Sequence, residues 1–304
     1  MQTTDTILLV RPSAFRRNEE TAVNNHFQQE GKQMNVQELA LAEFNNFINL
    51  LKTHGIRTIV VENDTNLDTP DCIFPNNVIS FHQGETAILY PMFAPNRREE
   101  RNLNYLGALR EAGIGFEKIK DYSIYEEIGR YMEGTGVLVL DRVHKIAYCS
   151  LSERAHSQLV ELFCEEIGYR PVIFEALHNV DGKMLPIYHT NVMLSVGTNF
   201  CVICWDSIPS TEYRKMLQKY FEETNKTIIA ISKDQLDHFA GNILEVHSRD
   251  GQPLICMSTQ AFENYTEEQI GLLEQFGKII HAPISTIEQY GGGSVRCMMA
   301  EVFY

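Results

Sequence analysis

Short apolar runs rich in valine and isoleucine alternate along this chain with longer segments whose apolar residues recur at helical spacing, the pattern of an α/β protein. Five of the strand-like runs share a feature: FPNNVISF from Phe74, MEGTGVLVL from Met132, YHTNVMLSV from Tyr188, AGNILEV from Ala240 and VRCMMAEVF from Val295 each open on a polar residue. Those residues are Asn77, Glu133, His189, Asn242 and Cys297, and subtracting neighbours gives separations of 56, 56, 53 and 55. A fixed period of this length marks stacked or radial repeats.

Within a block the order is strand, strand, helix, strand. After Asn77 come TAILY near Tyr90, a helix from about Arg97 to Glu111, and FEKI at Phe116. The block that begins at Cys297 runs out after one strand, but the N-terminal part supplies ILLV, a helix over Val36 to Thr53, and IRTIVVE, which complete a fifth unit. The pattern predicts a closed ring of five pseudosymmetric units in which the equivalent polar residues face one another across a central axis, and closure leaves no open sheet edge. No Pro-rich or Gly/Ser-rich linker divides the chain, so residues 1–304 read as one domain.

The composition narrows the function classes. A chain of 304 residues that is 44% hydrophobic can bury a large core. Asp and Glu number 40 against 26 Lys and Arg, and the pair Arg97–Arg98 is followed at once by Glu99 and Glu100, so neither nucleic acid nor an anionic membrane surface is an expected partner. The N-terminus lacks the plan of a secretory signal, no apolar stretch is long enough to span a bilayer, and seven cysteines at irregular spacing fit reduced thiols in the cytoplasm. Cys201 and Cys204 form a CxxC, but inside the strand-like FCVICW with no second ligand pair, so they read as packing residues. His26, His54, His82, His144, His156 and His178 show no metal-ligand spacing and read as surface or loop residues.

Cys297 stands apart from the other cysteines by its company. Gly291–Gly293 and Ser294 place it after a flexible turn that can approach a ligand closely. A ring brings it beside His189 and Glu133, the layout of an activated cysteine: the thiolate attacks an electrophilic carbon, the imidazole moves the proton, and the carboxylate holds the imidazole in the useful tautomer. Nothing in this set calls for a metal or another cofactor.

The segments FPNN, EGTG at Glu133, SER at Ser152–Arg154, HTN at His189 and GGGSVRC ending at Cys297 together resemble the guanidino-group-modifying superfamily of arginine deiminases, amidinotransferases and dimethylarginine hydrolases. The resemblance covers essentially the whole chain and implies the pentein fold, a fivefold β/α propeller. It implies Cys297 as nucleophile, His189 as acid and base, Glu133 as the acid behind it, and Arg154 as the grip on the substrate's carboxylate.

This sequence departs from that pattern at the substrate end. Guanidino-processing members usually carry aspartates where this chain has Asn77 and Asn191, and often another at Gly136. Two carboxylates suit a guanidinium through charge-assisted hydrogen bonds. Two amides suit a neutral ureido group, which needs donor and acceptor together. The sequence is therefore similar to the citrulline-utilising hydrolases of the superfamily, with citrulline converted to ornithine, carbon dioxide and ammonia through an S-carbamoyl-cysteine, and Asn77 and Asn191 orienting the ureido plane. Asp71 standing in for the missing acids from a shifted position is the competing expectation. An arginine deiminase-like or dimethylarginine hydrolase-like enzyme, an amidinotransferase, and a catalytically silent binding protein on the same ring stay open. The expected partner is a small amino-acid substrate, and homo-oligomerisation is left open.

Overall fold

The structure is a computed structural model and describes residues 1–31, 34–63 and 67–304. Five three-stranded sheets carry the ring. In one, Ile79–His82 runs antiparallel to Thr86–Leu89, which pairs in parallel with Lys118–Asp121. The same order recurs in Val139–Asp141, Ile146–Ser150 and Arg170–Phe174, in Leu194–Val196, Phe200–Ile203 and Thr227–Ala230, and in Leu244–His247, Pro253–Ser258 and Lys278–Ala282. The fifth sheet joins the two ends of the chain: Ala300–Glu301 pairs antiparallel with Thr6–Val10, which pairs in parallel with Arg57–Val61. A short hairpin of Leu177–Val180 and Lys183–Pro186 stands outside these sheets.

The sheets touch in cyclic order. Ala300–Glu301 meets Ile79–His82, the turn Gly134–Val137 meets Ile79–His82, Val139–Asp141 meets Leu194–Val196, Leu194–Val196 meets Leu244–His247, and the turn Val295–Met298 returns to Pro253–Ser258. The chain is thus an α/β propeller of the pentein type, with the predicted strand-strand-helix-strand unit. The middle strand of each sheet is covered on both faces, which is why Thr6–Val10, Ile146–Ser150 and Phe200–Ile203 are buried end to end and read as unbroken apolar runs. Helices such as Val36–Thr53 and Ser157–Ile167 lay an apolar stripe against the sheets, with Phe44, Phe47 and Leu51 buried in the first and Leu159, Val160 and Phe163 in the second.

Three sequence expectations are corrected. The polar residues at the axis do not open strands. Asn77 ends a single helical turn, Pro75–Asn77, Glu133 precedes the turn Gly134–Val137, His189 precedes Thr190–Val192, and Cys297 lies within Val295–Met298. Each strand starts a few residues later, so a turn rather than a strand mouth faces the axis. These turns pack backbone to backbone: a Cβ on Gly134, whose φ is +46°, would lie 2.3 Å from the Asn76 carbonyl oxygen. Next, the helix expected from Arg97 to Glu111 is three pieces, Pro95–Arg98, Glu99–Asn102 and Tyr105–Glu111, because Arg97 and Glu100 turn inward to pair with each other. Finally, His82 and His178 are buried rather than on the surface.

The cysteines, Cys201 and Cys204 among them, are buried free thiols. Among the described residues no helix is long and apolar enough to cross a membrane.

Leu8 sits in the strand that joins both ends of the chain and is wholly buried. Leu8→Ala should lower stability by about 2–5 kcal/mol. Urea denaturation checks this, as a fall in midpoint at unchanged slope.

Candidate active site

The turns at the axis bring four side chains predicted from the sequence into one small pocket: Asn77, Arg154, His189 and Cys297 line it together with Asp71 and Arg97. Asn191 reaches the Cys297 sulfur from beside that pocket, and Glu133 sits behind His189. The pocket has about 10 Å³ of free space, room for one water molecule. Its closure is the work of the segment between the first strand and the first helix. Asn25 donates to the carbonyls of Gly291 and Gly292, Gln28 donates to Gly291, and Tyr188 reaches Gly292 from the other wall.

Cys297 follows Ser294, whose hydroxyl donates to Glu288 Oε1 at 2.6 Å and so fixes the glycine-rich approach to the thiol. Two amides point at the sulfur, Asn242 Nδ2 at 3.3 Å and Asn191 Nδ2 at 3.5 Å. Asn242 was identifiable in the sequence only by its place in the repeat.

His189 Nε2 lies 2.7 Å from Glu133 Oε2. With a hydrogen on Nε2 donated to that carboxylate, the lone pair falls on Nδ1, the nitrogen left for proton transfer. Gly136 lies flat against it: a Cβ there would come within 2.8 Å of Nδ1 and 2.5 Å of Asn77 Nδ2. The departure from the superfamily pattern at Gly136 therefore has a steric reason, since no side chain fits between those two groups. Burial pushes the imidazole down to about 4, and Arg154 and Arg97 push the same way, against the hydrogen bond and charge of Glu133. Burial works to raise the Glu133 carboxyl, but Arg154, the His189 hydrogen bond and Arg97 outweigh it and hold the group well below the usual carboxylate range. The resting pair is a neutral imidazole on a carboxylate anion.

The charged groups around the pocket are mostly matched. Arg97, fully buried, forms a two-point pair with Glu100 at 2.9 and 3.0 Å and donates to Asn77 Oδ1 at 2.8 Å. Arg154 donates to Glu133 at 3.3 Å, to Thr21 O at 2.9 Å and to Asn24 Oδ1, and lies over the Tyr188 ring. The exception is Asp71. Its Oδ2 accepts from Asn18 and Thr21 at 2.8 Å each, while its Oδ1 is buried and meets no partner. Arg97, Glu100 and the Asn18–Gln28 groups were not foreseen. Arg97 was hidden in a charged stretch that reads as solvated surface, and the long polar connection between the first strand and first helix was the only sign of a cover.

The family model described as N,N dimethylarginine dimethylhydrolase, eukaryotic, matches residues 11–304 of the chain. No curated protein sequence matches it. Among solved structures the chain is similar to apo ArgZ, an arginine dihydrolase from the ornithine-ammonia cycle in cyanobacteria, with TM-score 0.74 and 17% identity over 98% of this chain and 40% of that one. It is similar to a substrate-bound mutant of the N-terminal domain of ArgZ, with TM-score 0.73 and 16% identity over 98% and 97% of the two chains. It is also similar to a dimethylarginine dimethylaminohydrolase mutant in an adduct with S-methyl-L-thiocitrulline, with TM-score 0.64 and 15% identity over 98% and 99%. The chain spans 40% of the length of full-length ArgZ and 97% of its N-terminal domain, and at these identities the likeness is one of fold.

The His189 imidazole titrates at about 4 when folded, below its ordinary 6.5, so the unfolded chain binds that proton first. Stability should therefore fall as pH drops from about 6.5 through 4, by up to about 3 kcal/mol from this group. The lowered Glu133 adds to the loss in the acid part of that range. His189→Gln should flatten the slope, and urea denaturation at a series of pH values measures it. Equal slopes for the two proteins would count against the depressed imidazole.

Proposed function

The chain belongs to the N,N-dimethylarginine dimethylhydrolase family, and from that premise we propose that it is a cysteine hydrolase of a ureido amino acid, with citrulline as substrate and residues 1–304 acting as one catalytic unit. The observation that carries the substrate choice is the distribution of charge. The side chains that hydrogen-bond the Cys297 sulfur are the neutral amides Asn191 and Asn242, and the amides Asn25 and Asn77 line the pocket beside them. A guanidinium placed there would lie against uncharged groups, at a cost of several kcal/mol. A ureido group is planar and neutral and finds both donors and acceptors. The ionic groups, Asp71, Arg97 and Arg154, suit instead the zwitterionic head of an α-amino acid: ammonium on the open Asp71 Oδ1, carboxylate on the arginines.

In this reading His189 Nδ1 takes the thiol proton and the Cys297 sulfur adds to the ureido carbon, whose oxygen becomes an oxyanion held by amide donors. Collapse breaks the bond to the side-chain nitrogen, which accepts the proton from His189 and leaves as the amine of ornithine. The S-carbamoyl enzyme remains. Water, deprotonated by His189, adds to the carbamoyl carbon and the thiolate leaves, giving carbamate, which decays to carbon dioxide and ammonia. Glu133 keeps the imidazole oriented and compensates its charge in each half-reaction. Arg154 serves the substrate only after the Thr21–Asn24 contacts release it, so the cover must open before the head group docks.

One observation favours a second reading. The unpartnered Asp71 oxygen can equally take a guanidinium, as in a hydrolase of arginine or methylated arginines.

Cys297→Ser should lower turnover by about 10⁴-fold or more while the fold persists, as read by ornithine release and circular dichroism. Asn77→Asp together with Asn191→Asp should weaken citrulline use and admit arginine. Asp71→Asn separates the two readings: a loss of kcat/KM shared equally by citrulline and arginine places the ammonium on Asp71, and a loss confined to arginine places the guanidinium there. Wild-type preference for arginine or dimethylarginine over citrulline would overturn the ureido assignment. An acceptor such as glycine appearing in the product would mark an amidinotransferase.

A further inference from the structure

A second cavity, larger than the one that holds Cys297, lies elsewhere in the molecule. About 650 Å³ lies between the covering segment at Phe27, the hairpin at His178 and Asp181, the turn at Asp237 and Phe239, and the helix Ser285–Gly291 at Glu288. Its floor is aromatic. Phe27 stacks on the His178 ring at 5.8 Å with the planes 4° apart, and Phe239 meets Phe27 at 5.4 Å. Among the described residues its acid and base side chains other than histidine are all carboxyl groups: Asp181 and Asp237 stand exposed at the rim and Glu288 is buried in the wall.

The second observation is His178, 8% exposed, whose Nε2 is buried and meets no partner. A buried polar atom left unpaired inside an otherwise satisfied wall is a costly feature unless a ligand completes it. Burial, with His26 beside it, pushes the ring down to about 4, so at neutral pH it is an uncharged group able to accept a hydrogen bond.

We propose that this cavity is a second ligand site, separate from the Cys297 pocket, for a small organic cation: an aliphatic amine whose ammonium groups are taken by His178, Asp181 and Asp237 and whose methylenes lie on Phe27 and Phe239. Carboxylates and aromatic faces together favour an ammonium, and an anionic ligand would be repelled by the two rim carboxylates, Asp181 and Asp237. A metal ion does not fit, because among the described residues no three His, Cys, Asp or Glu side chains converge closely enough to hold one. The site's chemistry is independent of which substrate Cys297 turns over.

Calorimetric titration of the full-length Cys297→Ser protein with putrescine tests this, since that diamine has no carboxylate for Arg97 or Arg154. Binding should weaken at least about tenfold in Asp181→Asn with Asp237→Asn, two exposed positions that leave the fold intact, and likewise in His178→Phe. It should be unchanged by Asp71→Asn, in the catalytic pocket, and by Asp234→Asn, an exposed acid outside the cavity. Absence of binding, binding that survives the double substitution, or equal weakening by Asp71→Asn or Asp234→Asn would each overturn the proposal.

Discussion

Glu133 is a carboxylate with no exposure to solvent at the centre of the ring, and it stays ionised there only because three partners from other parts of the chain converge on it. His189 comes from the next unit, Arg154 from the connection between the second and third strands of its own unit, and Arg97 from a helical turn of the preceding unit. A buried anion of this kind is costly when any partner is withdrawn and tolerable when all are present. It therefore ties the arrangement of the axis to the state of the imidazole, and through the imidazole to the thiol. The amide groups at the sulfur and the ionic groups further out can differ in charge because this network already neutralises the acid at the core.

The fold was unusually open to reading. Period and polarity alone placed Asn77, Glu133, His189, Asn242 and Cys297 around one axis, since a ring repeats the same local problem in every unit and the spacing carries the answer. The helix over Val36–Thr53 was also legible, because its apolar stripe is long and regular. What escaped was whatever depended on contacts between units. Arg97 lies in a run of charges that any one-dimensional reading leaves in solvent, and its burial is explained by partners distant from that run or turned inward with it: Glu100, the Asn77 amide, the Phe74 carbonyl and Glu133. The helical turns at the axis escaped for a related reason: one turn is too short to display a period, and it is stabilised by backbone contact with the neighbouring unit rather than by its own residues.

Asp71 shows how the two kinds of information meet. From the sequence it was a candidate substitute for missing acids, with nothing to say which way it pointed. Its Oδ2 is held by Asn18 and Thr21, members of the same cover that occupies Arg154, so the resting pocket satisfies one half of each group that an amino-acid head would use. On the function proposed above, the covering segment imitates part of the ligand, and access to the site becomes a competition between protein side chains and substrate for the same hydrogen-bonding atoms.

The pairing of Ala300–Glu301 with Thr6–Val10 joins parts of the polypeptide separated by nearly its whole length, and contacts so distant in sequence are slow to form. A molecule that has assembled four of its units but not the last possesses its imidazole and its carboxylate without a sulfur beside them. On the function proposed above, a form whose ring is still open would lack its nucleophile until the last unit docks.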